Sequence, residues 1–149
     1  MPKHATLFAD GGSRGNPGPA ASGAIILADD GTPLREIGEY IGIGTNNVAE
    51  WTALLIGLSA ALELGIDDLD VCLDSELVVR QLSGAYRVKH PNLIPLYGKV
   101  RSLLRRFARV DVKHVRRAEN VLADALVNRA LDEVAAAERG TPPGPAERA

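Results

Sequence analysis

Sulfur chemistry is almost absent from this chain. Its one cysteine, Cys72, lies alone in an apolar run, which excludes an internal disulfide and any Cys-x-x-Cys metal spacing. The three histidines do not cluster with it or with each other. No apolar run approaches the roughly 20 residues needed to span a membrane, and no N-terminal stretch has the form of a signal peptide. A reducing, cytoplasmic setting is therefore expected. A large net charge is missing as well: the formal value is −2, so the chain as a whole is no polycation.

What is present suits one folded domain. Of the 149 residues, 46% are apolar, enough for a real core and too many for global disorder. The charges are segregated. Eleven acidic residues and one basic residue, Arg35, lie between Asp29 and Glu76, whereas eight basic residues and one acidic residue, Asp111, lie between Lys99 and Arg117. Such asymmetry suggests an acidic centre beside a basic surface, or simply two solvated faces.

Periodicity and punctuation give the element order. Lys3 to Ala9, Ser22 to Ala28 and Leu34 to Ile41 read as strands, with Asp30-Gly31 as a hairpin turn between the second and third. Asn46-Asn47 offer N-cap chemistry for a helix running to about Leu64 and stopped by Gly65. Trp51, Leu55, Leu58 and Leu62 recur at helical spacing, so Trp51 reads as core in preference to a stacking platform. "DVCLDS" is a short buried strand, and Ser75 to Ser83 a helix stopped by Gly84. Asn92 to Ala108 reads as a second long helix with Pro95 in its first turn. "RVDVKHV" alternates as a strand, and a last helix spans about Val121 to Glu138. The order β-β-β-α-β-α-α-β-α implies an α/β fold in which a mixed sheet is covered by helices. One domain is expected over residues 1–138, with 139–149 as a disordered tail.

Four carboxylates occupy unusual places. Asp10 ends the first strand and Asp74 the "DVCL" strand, where caps and functional acids are both common. Glu50 lies one turn into a helix, on the same face as Leu54, Gly57 and Leu58. It therefore points along the packed side and needs a partner; Gly57 would let this helix approach the sheet closely. Asp124 falls in the first turn of the last helix, where an acid also has an ordinary role against the helix dipole. Converging on one point, four carboxylates would raise each other's pKa values unless a cation joined them. An all-oxygen donor set favours Mg²⁺, and two such ions about 3.5–4 Å apart could clamp an in-line phosphoryl displacement. The glycine-rich "DGGSRGNPGPAASG" after Asp10 is no P-loop, because no Gly-Lys-Ser/Thr follows.

These residues carry a resemblance. "DGGSRGNPGPAASG", "TNNVAEW", "LDSELVV" and "ENVLADALV", in that order, resemble the four motifs of type 1 ribonuclease H, over about residues 3–135. The short "VKHPNL" resembles compact bacterial and archaeal members, which lack an extra basic handle. The resemblance implies the RNase H-like fold with a five-stranded mixed sheet. It also implies an endonuclease that cuts the RNA strand of RNA–DNA hybrids with two Mg²⁺ ions (Mn²⁺ substituting), leaving 5′-phosphate and 3′-hydroxyl ends. Asp10, Glu50, Asp74 and Asp124 match the family's catalytic metal ligands. Gly11, Ser13, Gly15, Asn16, Thr45, Asn46, Asn47 and Ser75 match its substrate-binding positions, Thr45 at a DNA phosphate and the amides toward 2′-hydroxyls. A histidine-bearing loop of many relatives is shortened here to "VRRAEN". This leaves His114, Arg116, Arg117 and Glu119 as auxiliary candidates, His114 falling in the last strand. Lys99, Arg101, Arg105 and Arg106 are expected on backbone phosphates. The alternatives are a non-catalytic nucleic-acid binding module on the same fold, and a broader nuclease that also cuts double-stranded RNA or RNA–DNA junctions. No membrane and no obligate protein partner are expected.

Overall fold

The computed structural model describes residues 3–140. The order of elements is the expected one: β1 (His4–Ser13), β2 (Gly18–Leu27), β3 (Pro33–Gly44), α1 (Asn46–Glu63), β4 (Asp68–Leu73), α2 (Glu76–Leu82), α3 (Ile94–Leu104), β5 (Arg109–His114) and α4 (Val121–Glu138). Residues 141–149 of the expected tail lie outside the described residues. The strands form one five-stranded sheet in the order β3-β2-β1-β4-β5. β1 and β3 run antiparallel to β2, while β4 is parallel to β1 and β5 is parallel to β4.

Helices cover both faces; β2 is buried along nearly its whole length and reads as an apolar run, while β1 alternates, with Ala5, Leu7 and Ala9 buried and Thr6, Phe8 and Asp10 partly so. Against one face, α1 and α3 close the main core, built on Leu7, Ile26, Leu54, Leu58, Leu69 and Val71. Trp51 is fully buried there. Its indole N–H donates to Gln81 Oε1 on α2 (3.3 Å), and its ring meets Tyr97 of α3 edge-on at 5.6 Å. On the other face α4 closes a smaller core of Ala21, Val127, Ala130 and Leu131. Gly57 does bring α1 close: a Cβ there would sit 2.7 Å from Leu7. Gly65 and Gly84, with φ of 77° and 87°, stop α1 and α2 as the sequence implies.

Several boundaries differ from the sequence reading; β2 opens at Gly18 instead of Ser22 and β3 runs on to Gly44 instead of Ile41, where the two strands pair. Asp10 does not end β1. The strand continues to Ser13, because Gly11, Gly12 and Ser13 pair with the small residues Ser22, Ala21 and Ala20 of β2, and only Arg14 to Pro17 remain outside strands. The N-cap of α1 is Thr45, whose Oγ1 accepts from Val48 N–H at 3.2 Å, so Asn46 and Asn47 are already helical. The second long helix is shorter, Ile94–Leu104, because i→i+3 bonds tighten the chain after Leu103 and Phe107 turns into the core, 7% exposed.

One ionic network fastens the sheet away from the glycine hairpin. Asp70 on β4 meets His4 of β1 (2.8 Å), Arg109 of β5 (3.0 Å) and Lys113 of β5 (3.5 Å). Partial burial pushes the Asp70 carboxyl up, but hydrogen bonds from His4 and Arg109 and the Lys113 charge outweigh it and hold the group at about 2. A carboxylate held below its unfolded value adds stability that is complete above that value and lost as pH falls toward the folded one. Asp70→Asn is therefore expected to lower unfolding free energy by about 1–2 kcal/mol near neutral pH. It should also flatten the wild-type loss of stability between about pH 4 and pH 2, read by urea unfolding across that window.

Candidate active site

The registers explain why the acids meet. Pairing of β1 with β4 ends at Ala9 opposite Leu73, so Asp10 and Asp74 follow side by side where the two parallel strands part. Glu50 is delivered by the backbone of α1 itself. A Cβ on Gly11 would lie 2.2–2.4 Å from the Ala49 and Glu50 backbone, so only glycine lets the helix rest on β1 here. The buried Ser22 hydroxyl donates to Ala49 O (2.7 Å) and fixes the same turn to β2. Carboxylate oxygens of Asp10, Glu50 and Asp74 lie within 4.8 Å of one another. Asp124, in the first turn of α4, stands outside that group but lines the same cleft of about 320 Å³ with Asp10, Glu50 and Arg117. Its carboxylate accepts from the Asn128 amide at 3.3 Å.

The electrostatics are those of a site built for a cation. Burial pushes the Asp10 carboxyl up to about 7, and the charges of Asp74, Asp124 and Glu50 add to it against one backbone hydrogen bond from Gly11. Burial also raises Glu50 to about 7, with Asp74 adding to it, while a hydrogen bond from Ser75 and the charge of Arg117 pull the other way. Every donor is an oxygen of a half-buried carboxylate, a set that suits a hard divalent cation and not a soft one.

The expected substrate positions gather around the start of α1. Asn46 Oδ1 accepts from Ser13 N–H (2.8 Å), and Asn16 Oδ1 accepts from Asn46 N–H (3.1 Å). The β1–β2 hairpin is thereby tied to the helix, and the NH₂ ends of both amides have no protein partner among the described residues. Asn16, Thr45, Asn46 and Asn47 line a second cleft of about 300 Å³ together with His90. Ser13 and Ser75 are engaged within the protein. The Ser13 hydroxyl donates to Gly44 O (2.9 Å), while Ser75 caps α2 through Val78 N–H (3.3 Å) and bonds Glu50. Gly15 is exposed at the hairpin tip with φ of 90°.

The auxiliary candidates separate. His114 ends β5 exposed, and is not among the residues lining the carboxylate cleft. Arg116 and Glu119 bond each other (3.1 Å). Arg117 alone of the four lines that cleft. Of the basic segment, Arg109 and Lys113 are engaged with Asp68 and Asp70, and Arg101 reaches Leu82 O (3.3 Å) and the Tyr97 ring. Lys99, Arg105 and Arg106 remain exposed without an ion pair among the described residues. Sequence reasoning missed Arg14, which lines the carboxylate cleft and pairs with Asp132 of α4 at 2.6 Å, and His90. Neither had a spacing signal, since α4 and α3 approach the site only through packing.

A carboxylate-lined cleft at the parting of β1 and β4, in a sheet of this order, defines a ribonuclease H-like domain. The pattern of the reverse transcriptase-like family matches residues 8–130. The chain is 46% identical to ribonuclease HI of Halobacterium salinarum over 126 residues, 85% of this chain and 63% of that one. It is 49% identical over 130 residues to the bifunctional protein Rv2228c of Mycobacterium tuberculosis, 87% of this chain and 36% of that one, so it spans about a third of the mycobacterial relative's length. The crystal structure of the Halobacterium salinarum RNase H1 superposes with a TM-score of 0.83 at 45% identity, covering 87% of this chain and 98% of that one. LC11-RNase H1, from a compost metagenome and solved in complex with RNA/DNA hybrid, superposes at 0.82 with 39% identity, covering 88% and 99%. This chain belongs to the reverse transcriptase-like family, as a member of its ribonuclease H type 1 branch.

The raised acids carry a sign for stability. A carboxyl held above its unfolded value keeps its proton longer in the folded state, so its contribution is favourable at low pH and is lost as pH rises through the folded value. Cation-free protein should therefore lose stability between about pH 4 and pH 7. Asp10→Asn should be more stable than wild type by about 2 kcal/mol above that window, with the difference vanishing in acid. Thermal unfolding in chelator across the pH range reads it.

Proposed function

We propose that the protein hydrolyses the RNA strand of RNA–DNA hybrids endonucleolytically, with two divalent cations, Mg²⁺ or Mn²⁺, held by Asp10, Glu50, Asp74 and Asp124. The observation that carries this reading is the gathering of three half-buried carboxylates within 4.8 Å, with a fourth lining the same cleft. When bound, the cations supply activation of the attacking water and charge stabilisation of the departing 3′ oxygen, consistent with 5′-phosphate and 3′-hydroxyl products. Asp10 and Glu50, raised to about 7, give up their protons on loading, so affinity rises with pH up to that range. Ser75 orients Glu50 through its hydroxyl. The unpartnered NH₂ groups of Asn16 and Asn46 are donors for 2′-hydroxyls and base edges in the shallow minor groove. Thr45 and Asn47, with His90, provide a cleft for a backbone phosphate of the DNA strand, and Arg117 supplies positive charge at the carboxylates. Asn46 lines both clefts, so one strand of a duplex would lie on each side of it.

The relative solved in complex with RNA/DNA hybrid supports this substrate class. A non-catalytic module on the same fold would have no use for four acids at one cleft. Among the described residues no helix is long and apolar enough to cross a membrane, and the lone cysteine is buried; we place the protein in the cytoplasm.

With Mg²⁺ or Mn²⁺, the purified protein should cut a labelled hybrid. Asp10→Asn, Glu50→Gln and Asp74→Asn should each lower turnover by about 10²-fold or more while hybrid binding persists in a gel shift, and Arg117→Ala should lower it by about tenfold. An intact RNA strand under all cation conditions, or Asp10→Asn cutting like wild type, would sink the reading. A parallel panel of double-stranded RNA and RNA–DNA junctions decides how broad the activity is.

A further inference from the structure

Asn120 immediately precedes α4 and is 1% exposed. It stands at the N-cap, where an asparagine side chain normally accepts from the helix backbone, yet it makes no such bond. Instead its Nδ2 donates to Ala9 O at 2.9 Å, across 111 positions of sequence. Ala9 is the last β1 residue paired with β4 and the neighbour of Asp10. The main-chain carbonyl of Asn120 accepts from Asp124 N–H at 3.1 Å. One residue therefore joins the backbone beside Asp10 to the backbone of Asp124. The amide orientation follows from its partner: reversed, it would set oxygen against oxygen. Its Oδ1 is buried and has no partner among the described residues. Such an orphan acceptor lowers stability, so folding alone does not account for an amide here.

The packing around this end of α4 is close. A Cβ on Gly23 would meet Ala123 O at 2.5 Å, so the first turn of α4 rests directly on β2 and its height is fixed by contact. The hydrogen bond to Ala9 O adds a directional tie from this turn to β1, beside Asp10.

We propose that Asn120 is a positioning residue that holds Asp124 in register with Asp10, and so sets the fourth carboxylate against the other three. The inference rests on reading Asp124 as a cation ligand.

The test uses Asn120→Ala and Asn120→Ser, the serine keeping a shorter donor, with Val100→Ala, in the distant core, as a control of comparable destabilisation. The Mg²⁺ concentration for half-maximal hybrid cleavage should rise about tenfold in Asn120→Ala, with KM for hybrid unchanged and partial rescue in Asn120→Ser. Without substrate, the rise in Tm produced by Mn²⁺ should shrink in the same order, and adding Asn120→Ala to Asp124→Ala should change it no further. If Asn120→Ala does not fold, Asn120→Ser against Val100→Ala carries the comparison. Cation half-saturation within twofold of wild type, or the same weakening in Val100→Ala, would overturn the positioning role while leaving the hydrolase reading intact. Wild type that neither cuts hybrid nor responds to cation would remove both.

Discussion

The contact on which the site depends is between two backbones. At Gly11 of β1 the first turn of α1 comes so near that a methyl group would lie 2.2–2.4 Å from its main chain. This closeness sets Glu50 beside Asp10, lets Ser22 reach Ala49 O, and lets Asn46 bond Ser13 across the hairpin. A larger residue at position 11 would separate the helix from the strand, and three carboxylates would no longer meet. The glycine-rich stretch is thus less a loop than a strand pared down so that a helix can lie on it.

Stability has to come from elsewhere, because the gathered acids oppose folding. Burial and mutual repulsion lift Asp10 and Glu50 to about 7. The compensating burial lies under α1 and α3, where Leu7, Leu54, Leu58 and Trp51 are fully removed from water. The far end of the sheet adds the opposite electrostatic arrangement, one carboxylate, Asp70, among cationic partners. Like charges gathered at one end and paired charges at the other separate the reactive part of the sheet from the part that secures it.

Much of this was legible in the sequence. Element order, the buried Trp51 stripe and the close approach at Gly57 follow from periodicity and punctuation, while the meeting of Asp10, Glu50 and Asp74 was an expectation that the four motifs and their family resemblance carried. What was not legible depended on pairing between distant segments. β1 runs past Asp10 because small residues of β2 happen to face its glycines, a register fact with no local signal. The far end of the basic segment also has a local use: Arg109 and Lys113 face Asp68 and Asp70, since β4 and β5 bring the acidic and basic runs together. That the Ser75 hydroxyl, expected at the substrate, also bonds Glu50 and the α2 backbone had no signal in the sequence. Asp124 was grouped with the other acids, yet it stands one step apart, on the far helix. Helix packing decides that separation and composition does not.

On the proposed function, recognition and chemistry would meet on a single helical turn. Asn46 and Glu50 are four residues apart on α1 and so lie on one face, one above the other. Thr45 caps that helix, and Asn47 follows it. On the reading proposed here, a duplex that fails to satisfy the amides would not seat against this turn, and the same turn carries a cation ligand. Discrimination need not then travel through the protein. On that reading a 2′-hydroxyl met by Asn46 would be met within one turn of Glu50, and selectivity for RNA and catalytic geometry would be fixed by the same few backbone contacts.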